Sequence, residues 1–116
     1  MKYQNRLIKT LLLASLSLAP SAWAQSPQLT HALDQVQAAQ ASYQTQNTQE
    51  ASAHTRAALG HVEILRREHK ADKSLKTAEA NLSLSLKQNK NEAYDKSAKS
   101  IGHAMERLEE FRTGQE

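Results

Sequence analysis

Beyond residue 24 the chain contains one proline, Pro27, three glycines, Gly60, Gly102 and Gly114, and no cysteine. Proline and glycine are the residues that interrupt helices. The rest of the sequence is dominated by Ala, Leu, Gln, Glu, Lys and Arg, which favour helix, with few β-branched residues among them. A chain so poor in breakers has few places to turn, which restricts it to a small number of long helices. Without cysteine there is no disulfide framework and no thiolate metal site or haem attachment motif to reinforce a modest core. The fold class expected is all-α.

Residues 1–24 have a different character. Lys2, Arg6 and Lys9 form a positive segment, Leu11 to Ala19 a short apolar run, and Ser21-Ala22-Trp23-Ala24 a small-residue motif. That is the pattern of a secretory signal peptide cleaved after Ala24. The apolar run is about half of what a bilayer crossing needs, so no stable membrane anchor is expected. The expectation is a leader at 1–24 and a soluble, exported, periplasmic domain at 25–116. The full chain carries 15 Lys+Arg and 12 Asp+Glu, and the three basic residues of the leader leave 12 of each sign. A balanced chain lacks the basic excess of a nucleic-acid binder.

Four helices follow from apolar spacing and capping residues. Ser26-Pro27 opens the first, with Leu29, Ala32, Leu33, Val36, Ala39 and Tyr43 on one stripe. Asn47 with Glu50 forms a capping box for the second, whose stripe is Ala51, Ala58, Val62 and Leu65 with Leu59 beside it. A break near His69 to Asp72 precedes the third, carrying Leu75, Ala78, Leu82 and Leu86. Asn89 and Glu92 repeat the capping spacing before a fourth with Tyr94, Ala98, Ile101, Met105 and Leu108. The ranges expected are 27–45, 48–68, 72–88 and 91–112.

The halves match at an offset of 42: Gln46-Asn47 with Gln88-Asn89, Glu50-Ala51 with Glu92-Ala93, and Gly60-His61 with Gly102-His103. The architecture expected is an up-down-up-down four-helix bundle built from a duplicated helical hairpin.

No enzyme signature is present: no phosphate-cradling glycine loop, no His-Glu-x-x-His, no nucleophile elbow. The candidates for chemistry are His31, His54, His61, His69 and His103, since imidazole is a common ligand for zinc, nickel and copper(II). Two ligands of one ion bring their nitrogens within about 3–4 Å, because each metal–nitrogen bond is about 2 Å. No two of these histidines are spaced i, i+4. His54 and His61 share a face but stand roughly 10 Å apart along it. Across the first hairpin, His31 and His61 lie equally far from the turn near residue 46 and stand at one height on antiparallel neighbours, with Asp34 as an oxygen ligand nearby. His103 lies near that level but points away from its apolar stripe. Asp34, Glu50, Asp72 and Glu106 stand three or four residues from His31, His54, His69 and His103, a spacing that also serves ordinary helix stabilisation.

The segments Thr30-His31-Ala32-Leu33, His54-Thr55-Arg56-Ala57-Ala58-Leu59-Gly60-His61 and Ser100-Ile101-Gly102-His103-Ala104 lie on alanine-rich, duplicated helices behind a signal peptide. In these features the chain resembles the small metal-binding protein family. The resemblance covers nearly all of residues 25–116 and implies a periplasmic four-helix bundle that binds copper(II) and other divalent ions, such as nickel(II) or zinc(II), through histidines. The chain is far poorer in histidine than the family pattern, with Lys73, Lys96 and Lys99 where ligands would stand. The function expected is metal buffering or scavenging. The alternative is a periplasmic helical adaptor or chaperone-like protein using the basic cluster Arg66, Arg67, Lys70, Lys73 and Lys76 or the acidic Glu106, Glu109 and Glu110.

Overall fold

The computed structural model describes residues 26–115, and the leader expected at 1–24 lies outside them. Among the described residues there are four helices and no strand: α1 (Pro27–Gln44), α2 (Thr48–Glu68), α3 (Lys73–Lys90) and α4 (Tyr94–Gln115). They form an up-down-up-down bundle. α1 packs most closely on α2, and α3 on α4, while the looser α2–α3 and α1–α4 faces close the ring. No helix of the described residues is long and apolar enough to cross a membrane.

Local chemistry sets the helix ends. The Ser26 hydroxyl accepts from the backbone N–H groups of Gln28 and Leu29, with Pro27 at the first helical position where its missing N–H costs nothing. Asn47 Oδ1 accepts from the Glu50 N–H at 3.1 Å, and Asn47 Nδ2 donates to Glu50 Oε2 at 2.8 Å, as the capping box requires. Asp72 caps α3 by accepting from the Leu75 N–H. Both interhelical turns of the hairpins put a non-glycine residue in the left-handed region, Gln46 at φ 63° and Glu92 at φ 62°. There the Asn47 N–H reaches the Ser42 carbonyl and the Gln46 N–H that of Tyr43. The second turn repeats this with Ala93 to Gln88 and Glu92 to Asn89. Each is a Schellman closure that satisfies the final carbonyls of its helix.

Those matched turns lie 46 residues apart, and so does the core. Leu29 and Leu75, Ala32 and Ala78, Val36 and Leu82, Val62 and Leu108, and Leu65 and Phe111 are buried in both members. The caps Ser26 and Asp72 obey the same register. The hairpin is therefore duplicated as expected, but in a register four residues longer than the 42 read from identities. None of the identities behind 42 is buried in both members, whereas burial is what a repeated hairpin must conserve physically. Four residues is close to one helical turn, so the wrong register nearly keeps the helical phase.

Two local expectations change with it. Asn89 is not a cap. It lies inside α3, which runs to Lys90, and its Nδ2 donates to the Tyr43 hydroxyl at 2.7 Å and the Thr48 carbonyl at 3.0 Å. The inward face of α4 is Ser97, Ser100, Ile101, Ala104, Leu108 and Phe111, so Tyr94, Ala98 and Met105 flank the core rather than fill it. Leu33 and Leu86 are likewise only half-buried.

Near the hairpin turns the core becomes polar. Ser85 and Ser97 are fully buried facing each other, each hydroxyl donating to the other's carbonyl, at 3.1 and 2.8 Å. The Tyr43 hydroxyl bonds the Ser97 hydroxyl, so a chain of hydrogen bonds runs from Asn89 through Tyr43 and Ser97 to Ser85. In the first hairpin the equivalent positions are Ala39 and Ala51, also fully buried. Small residues at both places let paired helices approach closely. At the opposite end, His69 terminates α2 and sets its ring edge-on against Phe111, ring centres 5.0 Å apart at 70°. Arg66 pairs with Glu79 across α2 and α3.

Candidate functional site

α1 and α2 are antiparallel around one tight turn, so residues equidistant from it meet across their outer seam. Gln28 and His61 meet in this way, as do Gln35 and His54. His61 Nδ1 lies 2.6 Å from Gln28 Oε1, and His54 Nδ1 lies 2.8 Å from Gln35 Oε1. An amide oxygen only accepts, so Nδ1 of each ring is the donor in these bonds. The two pairs are seven residues apart on each helix, roughly 10.5 Å, which makes a two-step ladder along the seam.

His31, one turn from Gln28 on α1, brings its ring against His61. The ring centres are 5.1 Å apart and the planes inclined by 49°. His31 is exposed and His61 half-buried. The equal-height pairing expected from the sequence is thus present. Two imidazoles sharing one ion at metal–nitrogen bonds of about 2 Å hold their ring centres about 4.4–6 Å apart, and the observed separation falls in that interval. The two rings are thus in reach of one another, and the His61 ring is held by its hydrogen bond to Gln28.

The other candidates stand elsewhere. His54 is one ladder step away with Gln35, and its Glu50 neighbour bonds Asn47 instead. His69 packs on Phe111, and Asp72 is occupied as a cap. His103 is exposed on α4 and its Nδ1 sits 3.6 Å from Glu106 Oε1. Asp34 is exposed. Among the described residues no three or more His, Asp or Glu side chains gather into a metal-holding group.

In the 46-residue register the second hairpin places Thr77 opposite His31 and Arg107 opposite His61. Arg107 engages Glu110 at 3.1 Å, and Ser74, the counterpart of Gln28, donates to Glu110 at 3.2 Å. The histidine seam therefore belongs to the first hairpin alone. Gln28 and Gln35, the amide partners of His61 and His54, lie on the neighbouring helix and outside the in-helix carboxylate spacing. The legible signal was the mirrored spacing, Gln and His at equal distances from the turn. Comparison with known proteins finds no family model, characterised protein or solved structure that matches this chain.

Proposed function

We propose that the protein binds a divalent transition ion reversibly at His31 and His61, as an exported metal buffer or scavenger of the kind its resemblance to the small metal-binding protein family implies. The observation that carries this reading is the His31–His61 ring pair bridging α1 and α2, with His61 Nδ1 turned onto Gln28. The His61 ring is held by its bond to Gln28, which lowers the ordering cost of that ligand when an ion arrives. Copper(II) heads the expected order among nitrogen sites, ahead of nickel(II) and zinc(II). Two protein ligands leave the other coordination positions to water, which suits uptake and release better than permanent retention.

Calorimetric titration of residues 25–116 with copper(II) tests the reading. The expected result is binding at micromolar concentrations that is lost in the His31→Ala/His61→Ala double variant, with helix content unchanged, and retained in His103→Ala. A wild-type protein that takes up no copper(II), or a double variant that binds it unchanged, refutes the assignment and leaves the helical adaptor as the account.

A further inference from the structure

The duplicated hairpins leave two equivalent grooves at the turn end of the bundle, one between α1 and α4 and one between α2 and α3. Gln40, Tyr43, Gln44, Gln46, Tyr94 and Asp95 line the first, which has a volume of about 840 Å³. Small-molecule sites run from roughly 300 to 1000 Å³. In the 46-residue register Gln40, Tyr43 and Gln44 correspond to Leu86, Asn89 and Lys90, which line the second groove with Arg56 and Lys87. The fold therefore forms both grooves without dictating their lining. The second is cationic and has no aromatic ring. The first holds both tyrosines of the described residues, three side-chain amides and one carboxylate, and among the described residues no lysine or arginine lines it.

Tyr94 is 37% exposed, so its ring is not spent on the core. Tyr43 packs against the core, and its hydroxyl is tied to Asn89 and Ser97. That fixes one ring of the groove in advance and lowers the ordering cost of binding. An anion would meet no cation here. A cation would meet a single exposed carboxylate, a contact worth little in water. A sugar ring has apolar C–H faces and a rim of hydroxyls that both donate and accept. Tyrosine supplies apolar surface for the faces. Side-chain amides donate and accept at once, and a carboxylate accepts, so both suit the rim.

We propose that the α1–α4 groove binds an uncharged oligosaccharide, with Tyr43 and Tyr94 against its rings and Gln40, Gln44, Gln46 and Asp95 bonding its hydroxyls. The groove contains none of the histidines, so the proposal stands apart from the metal reading.

Titration of the protein with maltotriose, cellotriose and the trimer of N-acetylglucosamine, followed by amide NMR shifts, tests it. At least one trisaccharide should move amides around Tyr43 and Tyr94 at millimolar concentrations, leaving those around Arg56 and Lys87 in place. Tyr94→Ala, at an exposed position, should weaken binding roughly tenfold or more with helix content unchanged, as for a tyrosine that anchors a contact. Gln44→Ala should weaken it by a smaller factor. Asp95→Asn should cost only a few-fold, because an amide oxygen still accepts from a hydroxyl. Choline and inorganic phosphate should leave the groove amides unmoved. If none of the three trisaccharides moves them, if choline or phosphate does so instead, or if Tyr94→Ala binds unchanged, the proposal is overturned.

Discussion

Replacing Tyr43 by phenylalanine and Ser97 by alanine, singly and together, measures whether the polar end of the core acts as one chain of hydrogen bonds. Tyr43→Phe removes two bonds, from Asn89 and to Ser97. Asn89 keeps its bond to the Thr48 carbonyl, so at about 0.5–1.5 kcal/mol per bond the cost is about 1–3 kcal/mol. Ser97→Ala removes the same Tyr43 bond together with its contacts to the Ser85 carbonyl and hydroxyl, a similar or somewhat larger loss. The double variant loses four distinct bonds rather than five, because the Tyr43–Ser97 bond is shared. Its cost should therefore fall short of the sum of the singles by about 0.5–1.5 kcal/mol. Urea unfolding of all four proteins gives the cycle. Thermal midpoints should follow at about 4–8 °C per kcal/mol for a domain of this size. Additivity within about 0.3 kcal/mol would show that Tyr43 and Ser97 act independently and refute the reasoning.

Other outcomes follow from packing and backbone geometry. Leu82→Ala, at a fully buried position, should cost about 2–5 kcal/mol by denaturant unfolding, and Leu33→Ala, half-buried, clearly less. Gly60→Ala and Gly102→Ala should each stabilise by about 0.5–1 kcal/mol, since an added Cβ meets nothing within 4 Å at either and both lie inside helices; a lower thermal midpoint in both would contradict this. Asn47→Ala should cost about 1 kcal/mol and fray the start of α2, read by amide exchange. Copper(II) uptake should weaken below about pH 6, because protons and metal compete for imidazole nitrogen; uptake that holds to pH 4 would point to carboxylates instead.

Helix positions were legible because their signals are local. Ser26-Pro27 and Asn47-Glu50 announce α1 and α2 through bonds made within four residues. Asn89 shows where locality fails: Asn89 and Glu92 have the capping spacing, yet the Asn89 amide reaches Tyr43 and Thr48 on distant chain. The buried face of α4 departs from its apolar pattern for a related reason. Ser97 and Ser100 are buried because neighbouring helices come close there, and a hydrophobic count assigns serine to the surface. The histidine pair was legible because antiparallel geometry converts sequence distance from a turn into height. The amide partners obey the same arithmetic but carry no charge to draw attention.

Two hairpins with matching burial can dock in more than one sliding position, since the apolar pattern nearly repeats every turn. The serine–tyrosine chain breaks that degeneracy. If α1 slid one turn, about 5.4 Å, toward the C-terminal end of α4, the Tyr43 hydroxyl would face Ile101 instead of Ser97 and lose its acceptor. Stranding a buried hydroxyl costs about 1–3 kcal/mol, a sizeable part of the 5–15 kcal/mol that a domain typically has. The second hairpin has serines where the first has alanines, so the two halves also differ chemically at the point where they lock. That difference gives an internally repeated chain a single alignment of its two hairpins.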